Sequence, residues 1–127
     1  MKTVHTDDAP AALGPYSQAI ALDDWLFTSG QVGIDPATGE LQNDSFEDEA
    51  AQVLANLDRV LEEGGCRFQD VIKATVYLVD MADFGQLNAL YAEAMDGHRP
   101  VRSTVEVAAL PKGARVEIDL VARRTAR

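Results

Sequence analysis

Two alternating stretches near the C-terminal end constrain this chain more than anything else in it. Pro100-Val101-Arg102-Ser103-Thr104-Val105-Glu106-Val107 and Arg115-Val116-Glu117-Ile118-Asp119-Leu120-Val121 flank a Pro- and Gly-broken loop from Ala108 to Ala114. Period-two alternation sends successive side chains to opposite faces, so both stretches predict strands. In the first, Arg102, Thr104 and Glu106 share one face, and Ser103, Val105 and Val107 the other. In the second, Arg115, Glu117, Asp119 and Val121 oppose Val116, Ile118, Leu120 and Ala122. An arginine in one strand and a glutamate inside the next would, in a common cleft, set a planar cation for a carboxylate beside an acid–base group.

Upstream, Gly14-Pro15 signals a turn, and Ser17 to Leu22 predicts a strand. Asp23-Asp24 breaks it, and Trp25 to Ser29 resumes as its hairpin partner, ended by Gly30 where another group needs close approach. Asp35-Pro36-Ala37-Thr38-Gly39 supplies a turn. Ser45 with Asp48 three residues on resembles a capping box. Phe46, Ala50, Val53, Leu54, Leu57, Val60 and Leu61 then recur at helical spacing until Gly64-Gly65 stops the run. Val71 to Val79 is β-branched and apolar enough to predict an interior strand. Asp80 opens a second helix carrying Phe84, Leu87, Leu90, Tyr91 and Met95 on one side, and Asp96-Gly97 closes it. The order is two strands, helix, strand, helix, two strands. Each helix is amphipathic on one stripe, so both should cover one face of a single mixed sheet. The other face must be buried by something outside the chain or tolerate water, and self-association in a closed ring would bury it.

Composition narrows the partners. A chain of 127 residues is expected to form one domain, here 1–127. Its formal net charge of −10 repels phosphate backbones and anionic lipids, so nucleic acid and membrane are both disfavoured. Lysine is scarce among the 11 cations, against 21 Asp plus Glu, which suggests a salt-adapted cytosol; an ordinary acidic soluble protein fits as well. Met1 to Pro10 holds acids and no apolar core, so it does not read as a secretory signal. The lone Cys66 makes no internal disulfide and reads as a small core residue; a reducing cytoplasm is the expected compartment. His5 and His98 stand apart with no metal-ligand spacing, and neither a P-loop nor a dinucleotide fingerprint is present. Asn43-Asp44-Ser45 fits a glycosylation sequon, but its serine reads better as a helix cap.

Together with Gly14-Pro15-Tyr16-Ser17-Gln18-Ala19 and Thr28-Ser29-Gly30-Gln31, the Pro100–Val121 region resembles the Rid family of reactive-intermediate (imine) deaminases, over nearly the whole chain. The resemblance implies an α+β, chorismate-mutase-like mixed sheet of about six strands with two helices on one face. It also implies a homotrimer with sites in the clefts between subunits, and no cofactor.

The resemblance assigns Arg102 to a bidentate grip on the substrate carboxylate; on residues alone, Arg102 reads as a surface salt-bridge arginine. Glu117 matches the family's acidic residue beside the reacting carbon, where partial burial would raise its pKa and let it exchange protons; otherwise it is a cross-strand partner for Arg115. Tyr16 and Ser29 match cleft-lining positions as an aromatic wall with a hydroxyl and a hydrogen-bonding serine, and Gly30 would offer its N–H. Asn88 matches a recurrent family residue, yet a structural amide is the expected role there. Thr104 departs from the cysteine many members carry, which excludes a thiol nucleophile and leaves the backbone as the contributor. Arg99 departs from an aromatic residue common before the Pro-x-Arg, and turns an apolar wall into a cation.

The expected activity is hydrolysis of 2-iminopropanoate and 2-iminobutanoate to the 2-keto acid and ammonia. One rival is a non-catalytic module that binds small carboxylates in the same cleft. Another is a ribonuclease or translation inhibitor using a local basic patch at Arg123, Arg124 and Arg127. A holdase-like chaperone has no feature of its own here.

Overall fold

The computed structural model describes residues 1–125. The strands are β1 (Lys2–Val4), β2 (Ala19–Leu22), β3 (Trp25–Thr28), β4 (Val71–Leu78), β5 (Val101–Glu106) and β6 (Val116–Arg123), and the helices α1 (Phe46–Glu63) and α2 (Phe84–Met95). They form one six-stranded sheet ordered β1-β2-β3-β6-β4-β5. All neighbours are antiparallel except β4 and β5, whose parallel pairing requires the crossover that α2 provides. The α+β sheet and its two helices agree with expectation. The first strand was not foreseen: Lys-Thr-Val is too short to show a period, and its pairing with β2 declares it.

Local chemistry explains the ends of the helices. Ser45 Oγ accepts from the Asp48 N–H at 3.0 Å, and Gly64 N–H returns to the Val60 carbonyl. Asp80 does not cap α2 directly; its Oδ1 accepts from Ala82 N–H and starts a 3-10 turn, Met81–Asp83, that leads into the helix. Asp96 then adopts the left-handed conformation at φ 48, and Gly97 follows at φ 87.

The core lies between the helices and one sheet face. Val53, Leu57, Val60 and Leu61 of α1 and Leu87, Tyr91 and Met95 of α2 pack over Leu26, Ala74, Val76, Ile118 and Leu120. Cys66 is buried among them. The opposite face carries no helix: Phe27 and Val105 remain 43% and 42% exposed. No helix among the described residues is long and apolar enough to cross a membrane.

Candidate active site

Strand parity and register decide where the candidate groups point. On β6, Val116, Ile118, Leu120 and Ala122 are buried under the helices, so Glu117 and Asp119 emerge on the open face. Arg102 pairs across with Ala74, which itself faces Leu120, so its side chain belongs to the helix face. Thr104, paired with Val76, lies on that face too. Within one chain Arg102 and Glu117 therefore point to opposite sides of the sheet and do not meet. The candidate residues fall into two groups, one on each face, each a candidate half-site.

The first half-site is built around Glu117. Tyr16, Gly30 and Glu117 line one cavity of about 50 Å³, walled by Pro10, Leu13 and Pro111. The close approach to Gly30 comes from within: a Cβ there would lie 2.6 Å from Glu117 Cδ, so only glycine lets the carboxyl rest on the backbone. Ser29 Oγ donates to the Ser17 carbonyl at 2.6 Å, which leaves its lone pairs open as acceptors. Tyr16 Oη accepts from Leu13 N–H, and the segment before it is pinned by buried Gln18, whose amide donates to the Thr6 and Pro10 carbonyls and accepts from Thr6 N–H.

Electrostatics set Glu117 apart. Arg115, its expected cation, is taken elsewhere: the fully buried Glu49 accepts from Arg115 N–H at 2.6 Å and from Nε at 2.9 Å. Burial pushes the Glu117 carboxyl above the ordinary glutamate range, and the Asp119 charge on the same face adds to the rise. Asp119 in turn accepts from Tyr77 Oη at 2.9 Å. The sequence showed Asp119 sharing a face with Glu117; Tyr77, the other member of this trio, lies 42 positions upstream of it.

The second half-site surrounds Arg102. Nη2 donates to Asn88 Oδ1 at 2.7 Å, and the guanidinium lies 4.7 Å from the Tyr91 ring and 5.6 Å from Phe84. Asn88 thus acts as a structural amide, in keeping with the sequence reading, and the group it holds is Arg102. Among the described residues Arg102 has no carboxylate partner, and the Tyr91 and Thr104 hydroxyls are buried without a hydrogen bond. In the suggested basic patch, Arg124 pairs with Asp24 at 3.6 Å and Arg123 lies over Trp25, while Arg127 lies outside the described residues.

Comparison with known proteins places the chain in a family. Residues 6–124 match the family model described as Endoribonuclease L-PSP. A mouse protein named 2-iminobutanoate/2-iminopropanoate deaminase is 48% identical over 121 residues, covering 95% of this chain and 90% of that protein. The crystal structure of RidA from the Antarctic bacterium Psychrobacter sp. PAMC 21119 superposes with a TM-score of 0.94 at 41% identity, covering 97% of this chain and 99% of that one. E. coli TdcF with bound serine gives a TM-score of 0.94 at 38% identity, covering 98% of this chain and all (100%) of that one. With its sheet, its two helices and its sequence matched nearly from end to end, the chain belongs to the Rid family, the family described as Endoribonuclease L-PSP.

Proposed function

We propose that this protein hydrolyses short 2-imino acids, 2-iminopropanoate and 2-iminobutanoate, to 2-keto acids and ammonia, at sites completed between copies of a homotrimer. The observation that carries the reading is Glu117: a half-buried carboxyl with no ion-pair partner among the described residues, lying on Gly30 in a cavity. The relative named for this activity supports the substrate class.

Arg102 grips the substrate carboxylate through parallel N–H groups while Asn88 and the Tyr91 ring fix the guanidinium plane. Ionised Glu117 orients a water against the C=N carbon and takes its proton as the C–O bond forms. Starting from the N-protonated imine, that proton then goes to the amine nitrogen. As ammonia leaves, the carbinolamine hydroxyl returns a proton to Glu117 and becomes the ketone carbonyl, and the proton passes on to ammonia. A carboxyl with a raised pKa suits these transfers. Ser29 Oγ accepts from the nitrogen as it becomes an amine, the Thr104 backbone carbonyl assists, and Tyr16 walls the cavity. A protonated imine is already electrophilic, so the chain's own groups suffice without a cofactor, and much of the acceleration is positioning.

Two half-sites on opposite faces need two copies. β5 ends the sheet, so its outer edge is open to a second copy, whose Glu117 cavity would close over Arg102. Mixing Arg102→Ala with Glu117→Gln subunits tests this directly. Each pure variant should be inactive in a coupled assay that generates imine from serine or threonine. After refolding in equal parts, about a quarter of the sites should regain both groups, because each draws one group from each copy. Absence of any recovery in verified mixed oligomers would sink the shared site. Ribonuclease action is opposed by the net charge of −10 and by the pairing of Arg124 with Asp24.

A further inference from the structure

Between the C-terminal half of α2 and the start of β5 lies a cavity of about 370 Å³, lined by Asn88, Tyr91, His98, Arg99 and Arg102 among others. Its charge is unusual for this molecule. The chain has 21 Asp and Glu against 11 Lys and Arg, yet no acidic side chain lines this cavity. Two guanidiniums border it, and neither has an ion-pair partner among the described residues. Arg102 spends one of its five N–H donors on Asn88. Arg99 makes no side-chain hydrogen bond among the described residues, and its side chain is exposed. His98 Nε2 is fixed by the Val71 carbonyl at 2.6 Å, which ties the segment between α2 and β5 to the sheet and gives Arg99 a defined root.

We infer that this cavity accepts a short dicarboxylate, with Arg102 holding the α-carboxylate and Arg99 the distal one, so that the preferred substrates are imino acids bearing a second carboxylate. The inference rests on the reading of Arg102 as the carboxylate anchor and extends it to the rest of the substrate. The size is suitable. Both arginines border the same cavity of about 370 Å³, which has room for a four- or five-carbon diacid between them. A monocarboxylic imine would leave the Arg99 guanidinium with nothing to bind. A second carboxylate engages it by charge-assisted hydrogen bonds, and an exposed cation makes that gain dependent on ionic strength. Arg99 is thus a specificity residue, separate from the hydrolytic step at Glu117.

The test uses stable product analogues and the assembled protein. Calorimetry at low salt should show 2-oxoglutarate binding about tenfold more tightly than 2-oxobutanoate, with the ratio falling as salt rises. Arg99→Ala should bring the two affinities together by weakening 2-oxoglutarate alone, and Arg99→Lys should restore part of the difference. Arg102→Ala should abolish binding of both. An unchanged ratio in Arg99→Ala, or a wild-type preference for 2-oxobutanoate, overturns the distal anchor and leaves the Arg102 reading in place. Undiminished binding of both ligands by Arg102→Ala overturns the anchor itself.

Discussion

Glu117 is held in a state that favours its protonated form, and this has consequences for both rate and stability. Its pKa is raised in the folded protein, so the ionised side chain costs stability. That cost is absent below the ordinary carboxylate range and is fully present once the pH exceeds the raised value. Glu117→Gln should therefore raise the melting temperature at pH 7 to 8, with the gain vanishing toward pH 4, while hydrolysis is lost. Asp119→Asn removes a neighbouring negative charge that contributes to the shift. The acid limb of its kcat/KM profile should move to lower pH, and an unmoved limb would show that Asp119 does not tune the site. Gly30→Ala forces the carboxyl off its seat, because the new methyl falls 2.6 Å from Glu117 Cδ. A drop of about 10²-fold in kcat is expected, with far-ultraviolet dichroism unchanged.

At the scale of elements, the buried pair of Glu49 and Arg115 fastens the N-terminal end of α1 to the start of β6, two residues before Glu117. Arg115→Met would strand a carboxylate that is 0% exposed and should cost about 3 kcal/mol in urea unfolding, more than Glu49→Gln. Adding Glu49→Met to Arg115→Met should recover much of that loss, because the stranded charge is gone. Periodicity made α1, α2 and the two terminal strands legible in the sequence, and it even gave the faces of Arg102 and Glu117 within their own strands. It could not give the register across β4, the strand through which Ala74 aligns Arg102 with Leu120 and so turns Arg102 away from Glu117. The partner of Asn88 was illegible for a related reason: it is a residue 14 positions away, reached by a 2.7 Å bond made only when α2 packs beside β5. Glu49 hid likewise among the acids of the first helical turn, 66 positions from its partner.

At the scale of the molecule, the sheet has one covered face and one bare one. Trp25, Phe27 and Val105 interrupt the bare face with apolar area that assembly would remove from water. If the proposed trimer forms, placing a charge there, as in Phe27→Glu, should shift it toward smaller species in light-scattering chromatography and reduce activity in proportion. The outer edge of β5 adds a consequence of its own. A row of unsatisfied amides and carbonyls will accept any extended polypeptide that reaches it, including β5 of another copy in the wrong register. Dilution should therefore yield turbidity and lost turnover together, and no long-lived lone subunit. In the proposed trimer, the contact that completes the site would also cover one open rim of the fold.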